Sequence, residues 1–306
     1  MADVRGDCKA VKQVDISVAR QRWLMLGDVL RGRKSRDINS SSVSVRRFSS
    51  FGLLEVTPSV QENGDDGKEA DKECLWLHYK CPSCERLNID IRSYTGSFKL
   101  GDMIGFNNTG NVCVWPSEEV LTYYCLKHRH RFKNKFVCEL GGGMSCLAGV
   151  ALACVSDAQH VLLTDGNQQS VDSVEKIIKK NSTKFGSTIV KSEVLLWNKD
   201  GNFGNLTESF DFIICADCFF FDQYREDLAH TIFKLLKDQG EAIIFAPRRG
   251  SSFQAFKDIA ESLFEMTETE NYDSLIWRKH TKMKTNPDVY DENIHYPLLL
   301  HLVKKT

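Results

Sequence analysis

The sequence predicts an α/β protein built around a parallel β-sheet. From residue 110 onward, short runs rich in Val, Ile and Phe, bounded by polar residues or Gly, alternate with segments of helical spacing. The runs cover residues 136–140, 160–165, 189–197, 210–217 and 241–246. Strands that are apolar along their whole length and alternate with helices are typical of a parallel sheet covered on both faces.

The elements of this part follow one another in a regular order. The first helix begins at Pro116 and carries Glu118 and Glu119 in its first turn, where proline and acidic residues are favoured. A final strand at 296–303, with 266–272 as its antiparallel neighbour, brings the sheet to seven strands with a reversed final pair. The predicted helices cover residues 116–130, 145–156, 168–180, 223–238 and 251–264.

The first 109 residues have a different pattern. Residues 1–42 contain a predicted helix at 19–31 and a flexible segment. Residues 43–109 form a β-rich region, in which the stretch near 61–72 is a mobile acidic loop. The main domain is then residues 110–306. Strands of the β-rich region are predicted at 43–56, 74–81 and 87–94.

Composition limits the class of protein. The chain has 306 residues, is 42% hydrophobic and 26% charged, and has a formal net charge of −1. Bulk charge therefore favours neither nucleic acid nor a membrane surface. No apolar stretch reaches the ~18 to 20 residues of a membrane span, and the N-terminus has no apolar region of a secretory signal. We expect a monomer of the cytoplasm with access to the nucleus, without nucleic-acid or membrane partners.

The eleven cysteines are expected to be free thiols, as is usual in a reducing compartment. Cys81 and Cys84 have the spacing of a zinc half-site, but a structural zinc site needs four nearby ligands, and only Cys74 is close in sequence. Cys215 and Cys218 end a buried strand instead. No metal is predicted, and a zinc site at Cys81 and Cys84 is the minor alternative.

A glycine run joins the first strand of the main domain to its helix. Glu139 precedes Gly141, Gly142 and Gly143, and such a run lets the backbone approach a ligand and leaves amide donors available. The third glycine of a dinucleotide motif is absent, because position 146 is Cys, so a pyrophosphate is disfavoured. Asp165, 22 residues beyond Gly143, is placed to accept both ribose hydroxyls of a nucleoside. The alternative is a tight turn with a capping Asp.

Two further strands end in candidate site residues. Trp197 follows the third strand, where its indole stacks on adenine or packs in the core. The fourth strand ends at Ala216 and Asp217, and Phe220 follows three residues later. Asp217 thus lies at the carboxyl edge of the sheet, facing the reactive end of a bound cofactor.

These motifs resemble those of the seven-strand protein-lysine methyltransferase family. The resemblance implies a Rossmann-like seven-stranded methyltransferase sheet with a small N-terminal α+β extension, and S-adenosylmethionine as the cofactor. It rests on Glu139-Leu-Gly-Gly-Gly143, Leu163-Thr-Asp-Gly-Asn167, Leu196-Trp197, Ala216-Asp217 and the G-x-x-x-x-W element that ends at Trp115. The implied cofactor-binding residues are Trp115, Glu139, Gly141, Gly142, Gly143, Asp165, Trp197 and Ala216.

Longer blocks at 43–48, 106–119, 245–250 and 292–299 are similar to family members that methylate calmodulin. They imply transfer of methyl groups to a calmodulin lysine, up to trimethyllysine. The family's D-x-x-Y motif here runs from Asp217 to Phe220, so a phenyl ring replaces the phenol. Asp217 and Phe220 are the implied catalytic residues: Asp217 orients the amine or accepts its proton through water, and Phe220, with Phe219 or Phe221, forms an aromatic wall.

An acidic substrate requires local basic patches. We predict substrate contacts for Arg248 and Arg249, because they follow the fifth strand at the carboxyl edge. The run 127–135 carries five permanent cations and is either a second patch or a solvated helix end. Arg46 and Arg47 form a third pair.

Two other functions stay open. The first alternative is a lysine methyltransferase that acts on a different protein. The second is a cofactor-binding interaction module without turnover. The intact set of Glu139, glycines and Asp165 argues against the module. A nucleic-acid methyltransferase is disfavoured, because the chain lacks an N-P-P-Y motif and an overall basic charge.

Overall fold

A computed structural model describes residues 48, 50–59, 74–94 and 114–305. In these ranges the chain forms a three-stranded sheet and a seven-stranded sheet. The predicted helix at 19–31, the loop near 61–72, the cations Arg46 and Arg47, and residues 43–47 and 49 of the predicted strand at 43–56 lie outside the described residues. In the described remainder of that predicted strand, the strand begins only at Glu55, so its predicted start was too early.

The strands of the described ranges are numbered in chain order. The small sheet contains β1 (Glu55–Pro58), β2 (Cys74–Cys81) and β3 (Cys84–Tyr94). The large sheet contains β4 (Phe136–Leu140), β5 (His160–Asp165), β6 (Ile189–Val194), β7 (Phe210–Ala216), β8 (Leu236–Ala246), β9 (Phe264–Thr269) and β10 (Leu298–Lys304).

The helices are numbered in the same way. They are α1 (Pro116–Lys127), α2 (Leu147–Val155), α3 (Gln168–Asn181), α4 (Arg225–Leu235), α5 (Ser252–Ala260), α6 (Ser274–Met283) and the short α7 (Glu292–His295).

The large sheet has the strand order β6-β5-β4-β7-β8-β10-β9. Strands β4 to β8 are parallel, and β10 is antiparallel to both β8 and β9. The predicted antiparallel pairing of the last two strands, β9 and β10, is confirmed. Only β10 runs opposite to the other strands, and it lies between β8 and β9. The α/β class with a mostly parallel seven-stranded sheet is therefore confirmed.

The strand order places a crevice between β4 and β7. The chain adds β5 and β6 on one side of β4, and β7 and β8 on the other side. At such a switch point, ligands of open α/β sheets bind outside the carboxyl ends of the strands. Leu140, the last residue of β4, is paired with Cys215 at the end of β7. The glycine run and Asp217 therefore follow neighbouring strands.

Several predicted boundaries differ from the structure. Helix α1 ends at Lys127, and a 3-10 turn, Arg129–Phe132, follows it. The helix predicted at 223–238 ends at Leu235, and residues 236–238 belong to β8 instead, so that β8 begins at Leu236. Helix α6 was not predicted from the sequence. Its N-cap is Asp273, whose side chain accepts hydrogen bonds from two backbone N–H groups of the first turn.

The three-stranded sheet packs on α2 and α3 through β3. The buried amide of Asn181, at the end of α3, makes a two-way hydrogen bond with the backbone of Asp90 in β3. Its Nδ2 donates to the Asp90 carbonyl at 2.7 Å, and its Oδ1 accepts from the Asp90 N–H at 2.9 Å. The Asp90 carboxylate also pairs with Lys184 at 3.0 Å. This contact fixes the small sheet on the helices.

In the part of the chain that the structure describes, no helix is long and apolar enough to span a bilayer. The cysteines of those ranges, including the buried Cys81 and Cys84, are free thiols. No group of three or more His, Cys, Asp or Glu side chains with the arrangement of a metal site occurs within the same ranges.

Candidate functional site

The glycine turn after β4 is tightly packed. Gly141 has a left-handed φ of 64°, and a Cβ atom built there would lie 2.9 Å from both Cys218 Sγ and Trp197 Cζ2. A residue with a side chain at this position would therefore have a strained backbone conformation, and its Cβ atom would displace both neighbours. The turn brings Trp197, beyond β6, against Cys218, beyond β7.

Asp165 ends β5 directly beside this turn and is 5% exposed. Its Oδ2 accepts a hydrogen bond from the Gly143 N–H at 3.0 Å, and its Oδ1 accepts from the Asn167 N–H at 2.9 Å. Ser170 also forms a hydrogen bond with this side chain. A carboxylate has about four lone-pair sites, and acceptance of ligand hydroxyl groups by Asp165 stays a prediction. Burial raises the pKa of Asp165 to about 6, against the lowering by the two N–H donors. The carboxylate is mostly ionised at neutral pH.

Helix α2 begins at Leu147, and its N-terminus is occupied by acidic side chains of the protein. Cys146, in the left-handed conformation with φ 39°, precedes the helix. Glu118 Oε1 accepts from the Leu147 N–H at 2.9 Å and from Ser145 Oγ at 2.6 Å. Glu139 Oε2 accepts from the Gly149 N–H at 2.8 Å. Two buried carboxylates therefore use the N–H groups that begin this helix.

This arrangement discriminates between classes of nucleotide ligand. A dinucleotide fold binds its pyrophosphate at the N-terminus of this helix, through the same N–H groups. Here Glu118 and Glu139 accept from those groups, so the donors that a pyrophosphate would use are already occupied. Burial raises the pKa of Glu118 to about 7 and that of Glu139 to about 8, and the proximity of the two acids adds to the rise for Glu139. The site thus suits a nucleoside without phosphate.

Glu118 and Glu119 are the residues whose role the sequence did not reveal. Both were read as acids that favour the first turn of a helix, yet both are buried. Glu119 accepts from the Phe51 N–H at 2.6 Å and from the Leu53 N–H at 2.7 Å. Adjacent acids of α1 therefore bind two different segments: Glu118 the start of α2, and Glu119 the chain at 51–53. The only sequence signal was two consecutive acids immediately after Trp115 and Pro116.

The two tryptophans predicted to bind the cofactor, Trp115 and Trp197, lie before and after the glycine turn in the sequence. Trp115 is half-buried and is the N-cap residue of α1. Trp197 is 7% exposed and contacts the glycine turn with the edge of its ring. Most of the Trp197 indole is therefore packed in the protein, and its stacking on adenine stays a prediction.

Asp217 and Arg249 form an ion pair at the carboxyl edge of the sheet. Asp217 follows β7 with a left-handed φ of 53°, and its N–H donates to the Phe245 carbonyl at 2.8 Å. Its side chain is 12% exposed and that of Arg249 is 30% exposed. Burial raises the pKa of Asp217, and the Arg249 guanidinium opposes the rise. The predicted catalytic acid and one predicted substrate arginine are thus partners.

The three consecutive phenylalanines after Cys218 have different surroundings. Phe219 is buried and stacks on Phe256 of α5, with ring centroids 4.0 Å apart. Phe220 is half-buried and contacts Phe221, with ring centroids 3.9 Å apart. Phe219 therefore belongs to the core, and Phe221 is the neighbour that could complete the predicted aromatic wall with Phe220.

The basic run 127–135 lies away from this edge. Lys135 immediately precedes β4 and pairs with Asp211, near the start of β7, at 3.4 Å. Arg131 pairs with Glu241 of β8 at 2.6 Å, and Lys127 pairs with Asp273 at 2.5 Å. The end of the run is therefore at the amino edge of the sheet, and three of its cations are bound to acids of the protein itself.

Comparisons with known proteins give the family. A family model described as lysine methyltransferase matches residues 104–268, more than half of the chain. The chain is 34% identical over 302 residues to calmodulin-lysine N-methyltransferase of Arabidopsis thaliana, covering 93% of this chain and 96% of that protein. The chain belongs to the lysine methyltransferase family. It is also 27% identical over 177 residues to protein-lysine methyltransferase METTL21E of Bos taurus, covering 56% of this chain and 60% of that protein.

Solved structures are also similar to this methyltransferase. A methyltransferase from Pyrococcus furiosus covers 61% of this chain and is itself covered to 83%, with a TM-score of 0.44 and 13% identity. The MccD protein structure covers 63% of this chain and is itself covered to 100%, with a TM-score of 0.45 and 12% identity.

The structure brings most of the predicted site residues to one edge of the sheet. Those at or beside the carboxyl ends of β4 to β8 are Glu139, Gly141, Gly142, Gly143, Asp165, Trp197, Ala216, Asp217, Phe220, Arg248 and Arg249. Trp115 begins α1, whose next turn reaches the same place through Glu118. The individual roles of these residues stay predictions.

Proposed function

We propose that this lysine methyltransferase transfers methyl groups from S-adenosylmethionine to a lysine side chain of calmodulin, up to trimethyllysine. Support for the substrate comes from the Arabidopsis relative, whose name states this activity and whose similarity extends over nearly the whole of both chains. Support for the reaction class comes from the family. The monomeric state and the location in the cytoplasm and nucleus stay predictions from the sequence.

The observation that carries the cofactor proposal is the occupation of the α2 N-terminus by Glu118 and Glu139. A ligand with phosphates finds those N–H groups already occupied, whereas a nucleoside without phosphate does not need them. S-adenosylmethionine supplies a methyl group on a positively charged sulfur. In this proposal Asp165 accepts the ribose hydroxyls, Trp115 and Trp197 contact the adenine, and the backbone of the glycine turn and Ala216 line the remainder.

The protein must present the lysine amine in its neutral form. A lysine with a pKa of ~10.4 is almost fully protonated at neutral pH, and deprotonation costs roughly 4 kcal/mol. The rings of Phe220 and Phe221 form an apolar wall, and an apolar environment lowers a lysine pKa because it disfavours the ammonium. The same rings hold methylated ammonium intermediates by cation–π contact, which permits successive transfers. Asp217 orients the incoming amine.

The test is methyl transfer from radiolabelled S-adenosylmethionine to purified calmodulin. We expect label in calmodulin with the wild-type enzyme, and loss of label with the Asp165→Ala variant. Label that appears only on another protein of a cell extract would replace calmodulin by that substrate. Cofactor binding in calorimetry without transfer to any protein would support the interaction module instead.

A further inference from the structure

The two arginines that follow β8 differ in their surroundings, although they are adjacent in sequence. Arg248 is 45% exposed, and its Nη1 lies 3.7 Å from Glu270 Oε1 in a loose surface pair. Arg249 has a left-handed φ of 42° and points its guanidinium at the Asp217 carboxylate instead. One arginine therefore faces solvent, and the other is bound to the acid that follows β7.

The backbone of Arg249 is held from a third segment. Its N–H donates to the Asn293 carbonyl at 2.7 Å, and the next N–H, of Gly250, donates to Asn293 Oδ1 at 3.2 Å. Asp217 is held by its own N–H, which donates to Phe245. Both partners of the pair are thus fixed by backbone contacts, so their separation does not depend on side-chain packing alone.

The pair is incompletely satisfied. Arg249 Nε is buried and has no hydrogen-bond acceptor among the residues that the structure describes. A buried donor without an acceptor is unfavourable, and charged donors are the most unfavourable. Arg249 can therefore gain from a second acceptor that a ligand brings.

A substrate lysine creates the opposite requirement. Lysine approaches in water as an ammonium, and the predicted partner of its amine is Asp217, already bound to Arg249. When the ammonium pairs with Asp217, the guanidinium of Arg249, whose side chain is 30% exposed, must share its counter-charge, and a partly buried charge that loses part of its pairing is unfavourable. A carboxylate from the same substrate would restore the balance, and Arg249 offers it a bidentate fork.

We propose that Asp217 and Arg249 form a charge template: the substrate lysine pairs with Asp217 while an acidic residue close to that lysine pairs with Arg249. The substrate class is then a lysine with a carboxylate within a few residues. Arg249 is a specificity-determining residue, and the exposed Arg248 contributes only general attraction. This inference rests on the proposed function.

The test is a double-mutant cycle between enzyme and calmodulin. Mass spectrometry first locates the labelled lysine, and acidic residues within four positions of it are changed singly to Gln or Asn. kcat/KM is measured for each calmodulin variant with wild type, Arg249→Gln and the matched control Arg248→Gln. With wild type, one calmodulin change should lower kcat/KM about tenfold or more, as expected for loss of a charged hydrogen bond. With Arg249→Gln the same change should have less than about a twofold effect, and with Arg248→Gln the full effect.

Equal effects of the calmodulin change with Arg249→Gln and with wild type would overturn the template, as would a labelled lysine that has no acidic neighbour. Absence of label in calmodulin with wild type would instead refute the proposed substrate. If Arg249→Gln does not fold, because Asp217 is left buried without a partner, Arg249→Lys replaces it, since lysine keeps a cation beside Asp217 but lacks the bidentate fork. Calorimetry with S-adenosylmethionine verifies that this variant keeps its cofactor affinity, and the cycle with it has the same two outcomes.

Discussion

Acidic side chains lie at both edges of the large sheet, but their partners differ between the two edges. At the amino edge, carboxylates pair with cations: Asp211 with Lys237 at 2.9 Å and with Lys135, and Glu241 with Arg131. At the carboxyl edge, the carboxylates of Glu118, Glu139 and Asp165 accept hydrogen bonds from backbone N–H groups. The acids of the amino edge are thus paired with cations, whereas these three acids of the carboxyl edge are bound by backbone N–H groups, and Asp217 with Arg249 is the ion pair described there.

The pKa values of the acids differ between the two edges in the same way as their partners do. Burial would raise the pKa of Asp211, but the Phe136 N–H and Lys237 bring it below its usual range. Burial raises the pKa of Glu139 to about 8 and that of Asp165 to about 6, in spite of N–H donors. Carboxylates at the amino edge therefore stabilise the fold in their charged form. At the carboxyl edge burial disfavours the charged form of Glu139 and Asp165, and such raised pKa values are common at functional sites.

The largest expected effect follows from removing the carboxylate of Asp165. The Asp165→Ala variant should bind S-adenosylmethionine at least about 100-fold more weakly, because two hydrogen bonds to a charged group contribute ~1.5 to 3 kcal/mol each. Asp211→Ala is the matched control at the amino edge and should keep its affinity within about twofold while losing stability. Calorimetry and thermal unfolding measure both. A folded Asp165→Ala variant with unchanged affinity would remove Asp165 from the cofactor site.

Glu118 and Glu119 offer a comparison between adjacent residues of one helix turn. Glu118→Ala should weaken cofactor binding about tenfold, because the start of α2 loses a charged acceptor for Ser145 and Leu147. Glu119→Ala should leave the affinity within about twofold, because it frees only the chain at 51–53.

Both alanine variants should lose a similar ~1 to 3 kcal/mol of unfolding free energy, since each leaves two buried donors unsatisfied. Equal losses of cofactor affinity in the two variants would mean that Glu118 acts only through stability.

The edges should also respond oppositely to pH. A carboxyl whose folded-state pKa is raised contributes stability that is present below its unfolded pKa and is lost as the pH rises through the folded value. For Glu139 this window runs from about 4.3 to the folded pKa of about 8. The unfolding free energy of Glu139→Gln should therefore fall less steeply than that of wild type between pH 5 and 8, as measured by urea denaturation.

Asp211→Asn is the comparison for this pH effect. The pKa of Asp211 is lowered, so its contribution is present above the unfolded pKa near 3.8 and is lost as the pH falls through the folded value. Its variant should run parallel to wild type between pH 5 and 8. If the curve of unfolding free energy against pH for Glu139→Gln is also parallel to that of wild type, the pKa of Glu139 is not raised in the folded protein.

The smallest effects concern surface cations. Arg248→Glu should raise the KM for calmodulin about two- to fivefold, as expected for an exposed charge, and should flatten the decrease of activity with salt. Lys133→Glu, an exposed residue of the basic run near the amino edge, should leave KM unchanged within error. Steady-state kinetics at several salt concentrations check both. A larger effect of Lys133→Glu would move the docking surface to 127–135.

The sequence by itself determined the α/β alternation and the main positions of the site. The strands predicted at 136–140 and 160–165 coincide with β4 and β5. The glycine turn and Asp165 were also recognised, because they depend on local features: apolar runs, helical spacing, and glycine where the chain turns sharply. Each of these signals extends over a few consecutive residues.

The tertiary structure alone decided the partners of the charged groups. Asp217 pairs with Arg249 across 32 residues, Glu118 reaches α2 across 29, and Arg131 reaches Glu241 across 110. It also placed β10 between β8 and β9, and the basic run near the amino edge. No local period encodes such contacts, because they arise where separate strands and helices end at the same edge of the sheet. A carboxylate that reads as a helix-favouring acid in the sequence becomes a site residue only through its neighbours in space.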